Sequence, residues 1–186
     1  MDMNRLTEKA REALAAAHSL AVREQHSEVD TIHLLAALLE QEGGLTASVL
    51  RRANLDPEIL SNGVRELLER KPRLSGSSQG QAYLSGALNM VLSKAEEEAR
   101  DLRDEYISVE HLLLAMTSDR GETGKLFKQV GLTRDVIMTA LREIRVNQRV
   151  GSFGRTSRSG DRARRRNPPN HPGPLPPNEE QPGLDR

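Results

Sequence analysis

"VDTIHLLAALLEQEGG", residues 29–44, returns in altered form as "ISVEHLLLAMTSDRG" at 107–121. Each copy sets a capping residue before a histidine and a leucine run: Asp30 and His33 in the first, Ser108 and His111 in the second. Leu34, Leu35, Leu38 and Leu39 recur at helical spacing and form a wide apolar stripe, so each copy predicts a buried helix. The two histidines lie 78 residues apart, and that offset organises the rest of the chain.

Upstream, Thr7 precedes a segment in which Ala10, Leu14, Ala17 and Ala21 share one helix face, with Thr7 as N-cap. Downstream, Gly43 and Gly44 end the second helix, and "TASVLRRA" (46–53) forms a third, stopped by Asn54. Asp56-Pro57 opens a fourth, carrying Ile59, Leu60, Val64, Leu67 and Leu68. "KPRLSGSSQGQA" (71–82) then breaks the pattern with Pro, Gly and Ser. Beyond it the unit repeats: Leu6-Thr7 aligns with Leu84-Ser85, Leu14 with Leu92, Ala17 with Ala95 and Ala21 with Ala99. The offset slips by one after the second helix, so Leu50 matches Phe127 and Leu55 matches Leu132; one loop deletion accounts for this.

The expected fold is therefore all-α, a double repeat of a four-helix unit with about eight helices related by a pseudo-twofold. Such units bury little alone and much when stacked. The expected boundaries are 1–150 for the domain, with repeat one at about 1–70, a linker at 71–82 and repeat two at about 83–148. Residues 151–186 hold seven of the nine prolines and read as a disordered Arg/Pro-rich tail that includes "RARRR" at Arg162 to Arg166.

Composition narrows the function classes. Lys and Arg total 27 against 27 Asp and Glu, so the net field neither attracts nor repels nucleic acid. Only Tyr83, Tyr106, Phe127 and Phe153 are aromatic, too few to stack bases in series. Nucleic-acid binding through the tail arginines is the weaker reading. The chain has no cysteine, an acidic residue where a secretory leader needs basic ones, and an apolar run ("LLAALL") far below a membrane span. A cytoplasmic protein without membrane association is expected, monomeric as an isolated domain.

Each feature with a chemical appearance has a structural reading. His33 and His111 stand three residues after their N-caps, where a side chain reaches back to the cap backbone as in a capping box. Neither has a Cys or a second His within a turn. "GETGKLF" (121–127) resembles the end of a phosphate-binding loop, but Asp119 and Leu126 stand where that loop needs Gly and Ser or Thr. Glu96, Glu97 and Glu98 read as a solvated face with Lys94 one turn back. No catalytic or metal-binding constellation and no Walker motif emerges, so neither an enzyme nor a cofactor is expected. Met90 falls off the stripe formed by Leu88, Val91, Leu92, Ala95 and Ala99, and faces either solvent or a groove.

"LTEKAREAL", "HLLAALLEQEGG", the Gly/Ser linker, "YLSGALNMVLSKAEEEA", "DEYISVEHLLLAM" and "LREIRVNQRV" together resemble the N-terminal Clp repeat domain of the ClpB/Hsp100 disaggregase family, over residues 1 to about 150. The resemblance implies a helical double repeat that binds unfolded or aggregated polypeptide and hands it to ATP-driven rings. It implies substrate-handling roles for Thr7, Asp104 and Glu110, and a peptide groove near the fifth helix, for which Leu88, Met90 and Leu92 are the candidates. Asp104 and Glu110 have no matching pair in the first half, where positions 26 and 32 are His and Ile. After "NQRV" the family continues into an ATPase module and this sequence runs into its Arg-then-Pro stretch. The alternatives are a regulatory protein docking on a Clp ATPase or its adaptors, and a truncated disaggregase product.

Overall fold

The computed structural model describes residues 1–75, 81–156 and 173, with backbone alone for 151–156. Two compact units divide the chain, Met1–Arg149 and Val150–Arg186. The first is a double helical repeat. Repeat one comprises α1 (Glu8–Arg23), a two-residue strand β1 (Glu28–Val29), α2 (Thr31–Glu40), α3 (Leu45–Arg52) and α4 (Pro57–Arg70). Repeat two comprises β2 (Tyr83–Leu84), α5 (Gly86–Asp101), α6 (Val109–Met116), α7 (Glu122–Val130) and α8 (Arg134–Thr156).

Helices α2 and α6 are the centre of the core. Every residue from Thr31 to Leu38 is buried, as is every one from His111 to Met116. An apolar surface all round is what a helix enclosed by neighbours requires. The histidine caps form as the sequence predicts: His33 Nδ1 accepts from the Asp30 N–H at 2.9 Å, and His111 Nδ1 from the Ser108 N–H at 2.8 Å. Thr7 and Ser85 cap α1 and α5, accepting from the N–H groups of Ala10 and Leu88. Left-handed residues recur at matched positions: Gln25 with Arg103, and Asn54 with Gly131.

The repeats interlock by exchanging their first segments. Leu6 of repeat one bridges Ile107 of repeat two, while Leu84 of repeat two pairs with Val29 of repeat one, both in parallel sense. Adding the offset of 78 turns one pair into the other. The bonds match too, with the Thr7 N–H on the Ile107 carbonyl at 3.0 Å and the Ser85 N–H on the Val29 carbonyl at 2.9 Å. This reciprocity is the pseudo-twofold. Helix packing obeys it, since α3 packs on α6 as α7 packs on α2, and α4 meets α7 between the halves. Gly63 permits that last contact, because a Cβ there would stand 2.7 Å from Leu126 Cδ1.

One expectation needs correction. Glu98 is not on a solvated face: it is 2 % exposed, with Arg134 donating to both carboxylate oxygens at 3.3 and 2.7 Å. It occupies the place that Leu20 fills in repeat one. Its neighbours do lie outward, Glu97 pairing with Lys94 and Glu96 with Arg5. Helix α8 continues through Thr156, while the first compact unit ends at Arg149. Extending a formed helix needs no new nucleus, so packing around Ile137, Ala140 and Leu141 lets it propagate over weak formers such as Gly151. The expected linker residues 76–80 and the tail from 157 on, with Arg162 to Arg166, lie outside the described residues, Gly173 excepted.

Candidate binding surfaces

Thr7, Asp104 and Glu110 converge on one edge. The turn after α5 is held by left-handed Arg103 and by the Asp104 N–H on the Ala99 carbonyl at 2.8 Å, which aims the Asp104 carboxylate at α6. There Asp104 Oδ2 accepts from His111 Nε2 at 2.9 Å. Because His111 Nδ1 already accepts at the cap, Nε2 carries the proton. Glu110 sits in the first turn of α6, where the helix dipole favours a negative charge. Thr7 reaches the edge through its backbone bond to Ile107.

Sequence reasoning missed the residue that ties this edge together. Arg145 of α8 bonds the Glu110 carboxylate and lies 3.7 Å from Asp104 Oδ2. The Glu110 hydrogen bond, followed by the nearby negative charges, raises the Arg145 pKa and keeps it a cation. In repeat one the matching positions are His26, Ile32 and Leu68, so the polar edge exists once. Tyr106, half exposed, stands beside it.

The fifth-helix candidates divide. Leu88 and Leu92 are 0 % and 5 % exposed and belong to the core, whereas Met90 is 71 % exposed. Met90 lines a groove of about 670 Å³ between α5 and the turn from α6 to α7, with Asn89, Lys94, Glu97, Asp119 and Arg120 around it. Asp119 is braced, accepting from the Gly124 N–H at 3.2 Å and the Thr31 hydroxyl at 3.4 Å. Gly124 is required for that turn, since a Cβ would meet the Asp119 carbonyl at 1.8 Å. A second cavity of about 340 Å³, lined by Asp30, Ile32, Leu67 and Lys71, shares Ala87 and Gly121 with the first. The groove follows the start of α5 and the end of α6, and the polar edge lies where α5 ends and α6 begins. These are two surfaces.

Among the described residues, no group of three or more His, Asp or Glu is arranged for a metal ion, and no helix is long and apolar enough to cross a membrane.

An interlocked helical double repeat with a shallow groove is the architecture of a Clp repeat domain. The Clp repeat (R) N-terminal domain family matches residues 5–130, and the chain belongs to that family. Among its relatives, chaperone protein ClpB of Bacillus anthracis is 45% identical over 154 residues, which covers 82% of this chain and 18% of that protein. ClpB of Nitratidesulfovibrio vulgaris is 39% identical, covering 82% and 18%. The chain thus spans about 18% of the length of these relatives. Among solved structures, the Hsp104 N-terminal domain from Candida albicans aligns with a TM-score of 0.66 at 25% identity, covering 75% of this chain and 91% of that one. The N-terminal domain of the ClpV1 ATPase from E. coli aligns at 0.61 and 29% identity, covering 73% and 83%.

Proposed function

We propose that the chain is a non-catalytic binding module of the Clp/Hsp100 chaperone type, which captures extended apolar segments of unfolded or aggregated protein in the groove beside Met90. The exposed Met90 in a groove of about 670 Å³ carries this reading. Methionine is flexible and polarizable, which suits a surface that accepts varied apolar side chains. In this reading Thr7, Asp104 and Glu110 form a second, polar surface apart from the groove, which handles the client's polar backbone and side chains. Leu88 and Leu92 support the groove floor from inside. A structure whose chain is 28% identical to this one is described as holding a peptide from the Sci1 SciI protein, which supports a peptide as ligand.

Burying two or three client side chains at ~1.5 to 3 kcal/mol each gains on the order of 3 to 9 kcal/mol. Association costs ~4 to 15 kcal/mol, so one site binds weakly. Several copies on one ring would supply avidity. A labelled, permanently unfolded protein titrated with the chain tests the reading: saturable binding that Met90→Glu weakens supports it, and linear, Met90-independent binding rejects it.

A second reading rests on the relatives, which carry this domain on about 18% of their length. The module then docks on a Clp ATPase or its adaptors and modulates the ring without touching client. Recovery of an ATPase with the tagged chain, with no client, favours it.

A further inference from the structure

The two capping histidines end their hydrogen-bond chains differently. In repeat two, His111 Nε2–H donates to the Asp104 carboxylate. In repeat one the residue at the matching position is His26, and His33 Nε2 lies 2.8 Å from His26 Nδ1. Both rings are buried, at 3 % and 0 % exposure.

The proton positions follow from the bonds. His33 Nδ1 accepts from the Asp30 N–H, so His33 carries its proton on Nε2 and donates it to His26 Nδ1. His26 therefore carries its proton on Nε2, a buried atom with no hydrogen-bond partner. Every lone pair in the two rings is then in use. A further proton must go on His26 Nδ1, facing the His33 N–H, or on His33 Nδ1, facing the Asp30 N–H. Either way one buried hydrogen bond is lost, the His33–His26 bond or the Asp30–His33 bond of the α2 cap, and two donors oppose each other. In repeat two the Asp104 carboxylate stands where His26 stands in repeat one, as the acceptor of the histidine Nε2–H.

The segment 71–75 is fastened around this pair. Lys71 Nζ bonds Asp30 at 2.9 Å, Arg73 bonds Glu24 at 3.1 Å, and the Leu74 N–H donates to the Gln25 carbonyl at 2.8 Å. The anchors are thus residues 24, 25 and 30, flanking His26 in sequence and capping the helix of His33. The charges facing the rings are Glu24 from the end of α1, Asp30 from the cap, and Lys71 and Arg73 from the segment itself. A charged imidazole repels the two cations that close the segment.

We infer that His26 and His33 form an acid-sensitive latch: neutral, they hold residues 71–75 on repeat one, and uptake of a proton releases that segment. The release also opens the second cavity, because Asp30, Lys71 and Pro72 line it. Burial, the neighbouring histidine and Lys71 push His33 down to about 4, and burial with Lys71 lowers His26. Groups depressed in the closed form contribute stability at neutral pH and lose it as pH falls below about 6.5.

Hydrogen exchange on the full chain tests the latch, with amide rates corrected for intrinsic pH dependence. Protection of the Leu74 amide should fall about tenfold or more from pH 7 to pH 5, while the Asp104 amide in repeat two keeps its protection. His26→Asp, which copies repeat two, should abolish the fall; if that variant does not fold, His26→Asn should reduce it. Nitrogen NMR at pH 7 should find both rings protonated on Nε2. Unchanged Leu74 protection at pH 5, an equal fall in the folded variant, or a Nδ1-protonated ring overturns the inference.

Discussion

Arg134 on α8 closes over Glu98 on α5, and the carboxylate it grips is 2 % exposed while the guanidinium side chain is 46 % exposed. The bidentate bond raises the Arg134 pKa and fixes its charge. Removing the cation strands a buried anion. Arg134→Ala should cost about 2 to 3 kcal/mol in chemical denaturation, below the upper range for a fully enclosed pair because water reaches the arginine. Glu98→Leu, which restores the apolar residue found at Leu20, should change stability by less than about 1 kcal/mol.

The two first-helix caps should differ in worth. Thr7→Ala removes one bond to an N–H and should cost about 1 kcal/mol. Ser85 also donates to Asp30 at 2.9 Å across the repeat boundary and is 5 % exposed, so Ser85→Ala should cost about 2 kcal/mol. Equal losses in urea titrations would contradict the cross-repeat role of Ser85.

Arg145 bridges Asp104 and Glu110 with half its side chain in water. Arg145→Gln should cost about 0.5 to 1 kcal/mol at low salt, and the difference should shrink toward zero near 1 M salt. A salt-independent loss would mean that packing of the side chain, rather than its charge, holds α8 there.

Met90 touches the groove and not the core, so Met90→Glu should leave the melting temperature nearly unchanged, within about 0.5 kcal/mol of stability. Affinity for an extended apolar peptide, followed by fluorescence anisotropy, should drop about tenfold. Leu92→Ala is the opposite control: 5 % exposed, it should cost about 2 to 4 kcal/mol and affect binding only through unfolding.

The helices, the offset of 78 and the histidine caps were legible because each rests on short-range spacing and cap chemistry. The interlock of Leu6 with Ile107 and of Leu84 with Val29 was not, since two-residue strands carry no periodicity. Met90 stood out by falling off its stripe. Glu98 misled because its partner lies 36 residues downstream, and a glutamate in a charged run looks solvated until the partner is placed. Arg145 was hidden for the same reason. Leu88 and Leu92 show the limit of naming a groove by proximity along a helix: residues two positions apart face the core and the solvent.

The central claim, that the Met90 groove receives extended apolar polypeptide, is tested most directly by titrating isotope-labelled chain with such a peptide and following each backbone amide. Saturable shifts at Asn89, Met90, Lys94 and Asp119 to Gly121, lost in Met90→Glu, are the predicted result. Saturable shifts confined to other surfaces, or no shifts at millimolar peptide, would contradict it.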